Sequence, residues 1–265
     1  MKLRIATYNI HKGVSAFGRK ARIHGIKDAI SLLDADLVFL QEVQGQHDYH
    51  AEIHTRWPDV GQHEFLAGES HEVAYGMNAV YEHGHHGNAL LSRFPIASFA
   101  NHDVSDHAYE QRGILHAVVR VDGSDIHCFV IHLGLFAASR RRQVQALIHT
   151  IQGTLPPDAP LLIAGDFNDW SQRLSQTLYR ELGVQEAFDA DGRHASQEFA
   201  PWRSLFSAGR HARTFPAGFP WLCLDRVYVR GFRVLEAQVM SGAPWTALSD
   251  HVPIVAALET LPSRA

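Results

Sequence analysis

The residues with the clearest chemical potential lie in the segment Gly165-Asp166-Phe167-Asn168. The apolar run before it, 161–164, is typical of a strand buried on both faces, and Gly165 lets the backbone bend as that strand ends. Asp166 and Asn168 are two positions apart, so in extended geometry their side chains point the same way. A carboxylate and an amide side by side at the mouth of a sheet could bind a phosphate and its metal, although both are also ordinary turn residues.

Two more polar groups lie at or just beyond the ends of apolar strands near the start of the chain. Asn9 lies in the predicted first strand, 3–10, and is either a strand-end turn residue or an amide that holds a phosphate oxygen or a metal-bound water. Glu42 follows the second apolar strand, 37–40. A carboxylate there is costly unless it is exposed or paired, and Mg²⁺ is typically bound by one or two carboxylates plus substrate oxygens. Glu42 is therefore a candidate metal ligand.

Helices alternate with the strands that carry these groups. Apolar residues at 23, 26, 30 and 33 predict a helix between the first two strands, and a second helix, capped by Ser139, leads into the 161–164 strand. A further helix is predicted at 172–182, segment 44–86 is expected to be the least regular, and 189–221 is predicted to be a long loop. The other predicted strands are 114–119, 126–133, 222–229 and 252–258.

Composition limits the class of protein. The 265 residues are 46% hydrophobic with a formal net charge of −4, which suits a soluble globular chain and gives no support to bulk electrostatic binding of nucleic acid or an anionic membrane. We expect one domain over 1–265, a monomer, without a transmembrane segment. Two cysteines and an N-terminus without a signal-like segment predict a reducing, cytoplasmic location.

Histidine is abundant, with 19 in the chain and eight of them between positions 44 and 86. A structural zinc site is conceivable there, but such sites usually show tight ligand spacing, which this segment lacks. Solvated histidines, or histidines with hydrogen-bond partners in the core, are the favoured interpretation.

Five motifs in a fixed order give the chain a family resemblance. Together they resemble the endonuclease/exonuclease/phosphatase superfamily, over residues 3–258, in the form of a small stand-alone bacterial-type member. The resemblance implies an α/β fold with four layers, α/β/β/α: two packed mixed sheets flanked by helices, with the active site at one edge. The motifs are Asn9 in Thr-Tyr-Asn-Ile, Glu42 in Leu-Gln-Glu-Val, Gly165-Asp166-Phe167-Asn168, Asp225 in Leu-Asp-Arg-Val-Tyr-Val, and Ser249-Asp250-His251.

The resemblance implies hydrolysis of a phosphoester by an activated water. His251 is expected to act with Asp225, which fixes its tautomer, while Asp166 orients or deprotonates the water. Which of Asp166 and His251 takes the proton stays open. Glu42, joined by Asn9 and Asp250, is expected to bind Mg²⁺ or Mn²⁺, as one or two ions.

The same resemblance implies a set of phosphate contacts. Asn168, Arg112 and His132 are expected to bind the phosphate and stabilise its developing charge, with Asn88 near them. The alternative for Arg112 is a surface salt bridge. The chain departs from the family pattern at His11, where some nucleases have an acidic residue, and at 221–223, where a polar or basic residue is common.

The expected function is a metal-dependent phosphodiesterase that prefers a small or lipid-linked substrate. The chain has 24 basic and 28 acidic residues, and its tight basic cluster at 140–142 is predicted to be a solvated face at a helix start. Aromatic residues of the 189–221 loop either pack that loop onto the domain or form an apolar wall at the site. They are Phe199, Trp202, Phe206, Phe215, Phe219 and Trp221.

Three alternatives stay open: a nuclease acting on DNA or RNA, a phosphomonoesterase, and a catalytically silent binding domain. A silent relative is expected to have lost at least one of the site residues named in the motifs, and this chain has all of them. A catalytic function is therefore favoured.

Overall fold

The computed structural model describes residues 1–15, 18–106, 110–189 and 212–261. Two six-stranded sheets form the centre of this structure. The first sheet contains, in spatial order, β11 (Phe232–Val239), β12 (Ile254–Thr260), β1 (Lys2–Asn9), β2 (Leu37–His47), β4 (Gly84–Ser92) and β3 (Glu72–Tyr81). The second contains β5 (Ile96–Asp103), β6 (Gly113–Val121), β7 (Ser124–His132), β8 (Leu161–Asp166), β10 (Asp225–Arg230) and β9 (Gln185–Glu186).

Both sheets are mixed, since β1 pairs with β2 in parallel and β7 pairs with β8 in parallel, while their other strands pair antiparallel. Apolar side chains of the two inner faces form one core between the sheets. The helices cover the outer faces, which confirms the predicted four-layer fold. They are α1 (Ile23–Leu33), α2 (Asp48–Ile53), α3 (Gln62–Ala67), α4 (Ala137–Thr154), α5 (Leu174–Leu182) and α6 (Trp245–Leu248), with short 3₁₀ helices at His11–Gly13 and Ala187–Asp189.

Strand β7 shows how the sequence produces these layers. Cys128 and Val130 belong to the core between the sheets, whereas Phe129 and Ile131 pack with α4 and α5 on the outside. Alternate residues of a strand face opposite sides, so an apolar residue at every position indicates a strand covered on both faces.

The strand ends that carry polar residues lie together at one edge of the sandwich. The carboxyl ends of the parallel pairs lie there, and the register places His132 and Asp225 each opposite Asp166. Strands β4, β6 and β10 run antiparallel to neighbours that end there, so they begin at this edge. The sequence therefore brings residues from very different positions to one place.

Segment 44–86 is more regular than predicted. Strand β2 continues to His47, helices α2 and α3 follow, and β3 and the start of β4 complete the sheet. Irregular register occurs between Leu40 and Val43 and again between Gln44 and Gln46. Such bulges shift the side-chain alternation on which a strand prediction depends, which explains why the pattern was not evident.

The start of α4 corrects two predictions. The helix begins at Ala137, and Ser139 does not cap it but donates a hydrogen bond to Asp106. Arg140 is buried, and its guanidinium donates to the carbonyl oxygen of Gly134 at 3.2 Å. The cluster at 140–142 is therefore not a uniformly solvated face, because Arg140 joins the helix to the loop after β7.

Most of the long predicted loop, 190–211, lies outside the described residues, and with it Phe199, Trp202 and Phe206. Among the helices that the structure describes, none combines the length and the apolar character needed to cross a membrane.

Candidate active site

The turn after β8 depends on its glycine. Gly165 has φ +148°, and a Cβ at this position would lie 1.9 Å from the carbonyl oxygen of Ile131 on β7. Only glycine therefore lets β8 pack beside β7 at this point. Beyond it, the backbone N–H of Asn168 donates to Asp166 Oδ1 at 2.9 Å, and Asn168 itself has φ 49°. This conformation is sparsely populated for residues other than glycine and is common at functional sites.

Asp166 lies at the centre of the predicted site and is almost fully buried. Its Oδ2 accepts a hydrogen bond from Asn9 Nδ2 at 3.1 Å. The Nε2 atoms of His132 and His251 lie 3.8 Å and 3.7 Å from the same oxygen. The structure thus places groups from β1, β7 and β8, and from the loop before β12, around one carboxylate.

His251 forms a close pair with Asp225. The Nδ1 atom of the imidazole lies 2.7 Å from Asp225 Oδ2, and both side chains are buried. The Asp225 N–H donates to Thr214 Oγ1 at 3.3 Å, and the ring of Phe215 lies 5.0 Å from that of His251. A carboxylate on Nδ1 fixes the tautomer and leaves Nε2 directed at Asp166.

The pKa values of His251, Asp166 and His132 are shifted in different directions by their surroundings. Burial disfavours the charged form of His251 and by itself would lower its pKa. The nearby carboxylates have the larger combined effect, so the pKa of His251 is raised to about 10. Asp225 contributes most, followed by Asp166 and Asp250. Burial raises the pKa of Asp166 to about 6. Burial lowers the pKa of His132 far below its ordinary value, and the positive charge of Arg112 lowers it further. The neighbouring carboxylates therefore favour the protonated form of His251, whereas burial favours the neutral forms of Asp166 and His132.

Glu42 lies just beyond the apolar part of β2, within the first irregularity of register, at φ 57°. Its Oε1 accepts from Asn9 Nδ2 at 3.3 Å, and its Oε2 lies 4.0 Å from Lys12 Nζ. The amide nitrogen of Asn9 thus bridges Glu42 and Asp166, while its oxygen accepts the N–H of His11 at 3.1 Å. Asn9 orients two carboxylates here, and its amide oxygen is directed away from them.

Asp250 is the most accessible of the predicted carboxylates, with a side chain 41% exposed. His11 Nδ1 lies 3.2 Å from its Oδ2, so the departure at position 11 places an imidazole against a predicted metal ligand. Ser249 Oγ donates to the carbonyl oxygen of Asn9 at 2.7 Å, which fixes this loop to the end of β1.

The donor groups at this edge fit a divalent cation. Asp166, Asp225 and His251 offer ligand atoms that all lie within 4.8 Å of one another, and among the described residues they form the one group of this kind. Asp225 Oδ1 is buried without a hydrogen-bond partner in the described part of the chain. Glu42 and Asp250 each lie beside a cationic or protonatable side chain. Carboxylates in these surroundings attract positive charge.

Arg112 precedes β6 and is mostly buried, with a side chain 14% exposed. Its Nη2 lies 3.5 Å from Glu110 Oε1, so the alternative of an ion pair is present in the structure, but not at the surface. Its Nε is buried and has no hydrogen-bond partner within the described ranges. Arg112 directly precedes β6, which begins at the site edge, and its positive charge lowers the pKa of His132.

The structure does not place Asn88 as a phosphate contact. Its amide nitrogen donates to the carbonyl oxygens of Gly113 at 3.0 Å and Val130 at 3.3 Å, and the residue has no exposed surface. Asn88 therefore joins the two sheets just inside the site, and its donor group is already used. Sequence reasoning missed the positions of His86 and Lys12, whose charges act on the same group of residues.

Comparison with known proteins identifies the family. The model of the Endonuclease/Exonuclease/phosphatase family matches residues 6–251. The uncharacterized protein YbhP of Escherichia coli is 41% identical over 256 residues, which cover 96% of this chain and 94% of that protein. The chain therefore belongs to the Endonuclease/Exonuclease/phosphatase family.

Solved structures agree in fold. A family member from Bacteroides vulgatus matches with a TM-score of 0.74 at 16% identity, covering 98% of this chain and all of that one. D. rerio TDP2, solved as a complex with a single-strand DNA product, matches with a TM-score of 0.67 at 19% identity and covers 98% and 99% of the two chains. Members of the family are divalent-metal-dependent phosphoester hydrolases, and this chain has a buried Asp–Asp–His cluster that could bind such a metal.

Proposed function

We propose that this protein is a Mg²⁺- or Mn²⁺-dependent phosphodiesterase. The proposal rests on the surroundings of the buried carboxylate of Asp166. Asn9 donates a hydrogen bond to this carboxylate, and the imidazoles of His132 and His251 lie near it. Asp225 in turn pairs with His251. Phosphoester hydrolysis needs an activated water and groups that stabilise charge on the phosphoryl oxygens. These residues supply both kinds of group at one edge of the fold.

The metal ligands in this proposal are Glu42 and Asp250, which leaves Asp166 for proton transfer and Asp225 for orienting His251. A bound divalent cation would neutralise charge on the phosphoryl oxygens and lower the pKa of the attacking water. Lys12 and His11 lie within ion-pair distance of Glu42 and Asp250. The role of Asn9 is to orient Glu42 and Asp166 through its amide N–H groups.

The protonation states favour Asp166 as the base. The carboxylates around His251 raise its pKa and so favour its protonated form, which cannot accept a proton, whereas Asp166 offers a carboxylate that can. In the proposed reaction Asp166 accepts a proton from water, and the imidazolium of His251 stabilises the phosphoryl charge or protonates the leaving oxygen. The neutral His132 and the amide of Asn168 position the phosphate.

The surroundings of the site support an amphiphilic or small substrate. Five large apolar side chains on the loops at this edge are each between 52% and 80% exposed. A phosphodiester attached to an apolar group could contact them, whereas a long polyanion gains affinity mainly from lysine and arginine. These side chains are Leu135 and Phe136 after β7, Trp170 after β8, and Phe219 and Trp221 before β10.

Hydrolysis of bis-p-nitrophenyl phosphate tests the proposal. We expect turnover in Mg²⁺ or Mn²⁺, loss of turnover in EDTA, and recovery when the metal is restored. Asp166→Asn is the inactive control, because it keeps the side-chain volume but cannot accept a proton. Absence of metal-dependent turnover on any phosphoester would favour the silent binding domain instead.

A substrate panel tests the preference. Supercoiled plasmid, single-stranded DNA, RNA, inositol phosphates and phospholipids are compared in Mg²⁺ at physiological salt. We expect the highest kcat/KM on a small or lipid-linked diester. Faster cleavage of nucleic acid would leave the phosphodiesterase assignment intact and reject the substrate preference, while activity confined to monoesters would reject the diesterase assignment.

A further inference from the structure

His86 lies on the inner face of β4, directed toward the second sheet. Asn88, two residues along the same regular strand, donates across the sandwich to Gly113 on β6 and to Val130 on β7. Residues two apart on a strand face the same side. His86 is one step nearer the site edge, where Arg112 precedes β6 and His132 ends β7.

The polar surroundings of His86 are incomplete. Its Nδ1 atom is buried and has no hydrogen-bond partner among the described residues, and the same holds for Nε of Arg112. The charges of Lys12, Glu42 and Arg112 act on this imidazole, and His86 in turn acts on His132. A buried donor or acceptor without a partner is unfavourable. His86 Nδ1, Arg112 Nε and the neighbouring Asn88 Oδ1 are all without a partner in the described structure, which indicates a missing polar ligand beside the proposed reaction centre.

The neighbouring His85 shows what a structural histidine looks like on this strand. It faces the opposite side, where its Nδ1 lies 3.0 Å from Tyr75 Oη and its ring fills the space above Gly45. His86 has a ring contact with Tyr81 at 5.7 Å but no comparable hydrogen bond in the described structure. Core packing therefore accounts for His85 and does not account for His86.

We propose that His86, together with Arg112, binds non-bridging oxygens of the substrate's phosphoryl group. The imidazole donates through a ring N–H, and the guanidinium donates through Nε, so the two form one wall of an oxyanion pocket opposite the carboxylates. This inference rests on the proposed phosphoesterase function and adds to it a specificity-determining residue on β4. The pocket selects a tetrahedral oxyanion by hydrogen bonds as well as by charge.

Binding of inorganic phosphate to the Mg²⁺-loaded protein tests this without turnover. Calorimetric titration gives the affinity, and NMR of ¹⁵N-labelled histidine side chains reports contact at the ring. We expect the His86 ring signals to shift with phosphate, and we expect His86→Ala to weaken phosphate binding about tenfold or more. His83→Asn, an exposed histidine at the nearby β3–β4 turn, is the matched control and should bind phosphate as the wild type does.

Thermal unfolding without phosphate separates a binding role from a structural one. Because His86→Ala removes an unpaired buried nitrogen, we expect its melting temperature to equal or exceed that of the wild type. If His86→Ala does not fold, His86→Gln replaces it, with the same expected loss of affinity.

Wild-type affinity for phosphate in the folded His86 variant would overturn the inference, as would a wild-type protein that binds no phosphate. If the wild type binds phosphate through His86 but hydrolyses no phosphoester, this inference holds and the proposed function fails.

Discussion

Two buried carboxylates on neighbouring strands define the site at the scale of single residues. Asp166 and Asp225 are 2% and 1% exposed and lie opposite each other in the β8–β10 register. Burying two like charges together is unfavourable unless a cation accompanies them. His251 supplies that cation, and a second positive charge would be readily accommodated. The residues whose burial opposes folding are therefore the ones expected to take part in catalysis.

Because His251 and Asp225 form one pair, we expect the losses of kcat/KM caused by substituting each of them to be strongly non-additive. We expect His251→Ala and Asp225→Asn each to lower kcat/KM at least about 10²-fold, because a general acid–base group and its orienting partner act as one unit. The double variant should lose little more than the worse single variant. Steady-state kinetics of all four proteins measures this, and a double loss equal to the product of the single losses would contradict the coupling.

Glu42 predicts a change in metal dependence. Glu42→Ala should raise the Mg²⁺ concentration needed for half-maximal activity about tenfold or more, since it removes a ligand that does not take part in proton transfer. High Mg²⁺ should recover part of the rate, and Asp166→Asn should show no such recovery. An unchanged Mg²⁺ titration curve with full activity would reject Glu42 as a ligand.

Most candidate site residues could be located from the sequence because they follow unbroken apolar runs. Asp166 ends a strand whose every residue is buried, and His132 follows the buried run 128–131 of β7, so each is a conspicuous polar residue after an apolar run. His86 begins a strand in a histidine-rich segment, and nothing local separates it from His85. The face of β4 on which the His86 side chain lies is known only from the structure, where Asn88, two residues further along, contacts the second sheet.

At the scale of elements, the parallel pair β7–β8 depends on Gly165. We expect Gly165→Ala to destabilise the protein by about 3 kcal/mol or more, because the added Cβ would overlap the Ile131 carbonyl oxygen. Gly153→Ala, in α4 with open space at its Cβ position, should instead stabilise by about 0.5–1 kcal/mol. Urea unfolding of both variants gives the comparison, and equal stability of the two would refute the steric argument.

Elements whose apolar residues recur with a regular spacing were the ones that the sequence predicted well. Helix α1 was predicted by its apolar stripe and was observed at Ile23–Leu33. The edge strands β5 and β11 were not predicted, since their exposed residues follow no simple alternation. An edge strand is defined by its pairing with a neighbour, which a local pattern does not contain.

At the scale of the whole molecule, the many histidines predict a loss of stability in mild acid. Burial lowers the pKa of His50, His86 and His116 to about 4, whereas unfolded histidines titrate near 6.5. Between pH 6.5 and 4 these three rings bind more protons in the unfolded chain than in the folded one, so their contribution to stability falls as the pH falls through that window. We expect a loss of at most about 1 kcal/mol per such histidine at pH 5.5, because solvent screening reduces the contribution of partly exposed rings.

Urea unfolding at pH 7.5 and 5.5 measures this loss. The difference in the free energy of unfolding between pH 7.5 and 5.5 should be smaller in His116→Gln than in the wild type, because the variant lacks one of the titrating rings. His149→Gln on the exposed side of α4 is the matched control. Equal free energies of unfolding for the wild type at both pH values would contradict the prediction.

The position of β1 between β2 and β12 has a consequence for biosynthesis. The third residue pairs with residue 258, so the first sheet cannot be completed until β12 has left the ribosome. Contacts this distant in sequence form slowly, and the hydrogen bond from Ser249 to Asn9 is one of them. A nascent chain that lacks β12 would therefore carry most of the candidate site residues without their assembled geometry, and the proposed activity would be confined to chains in which both sheets are complete.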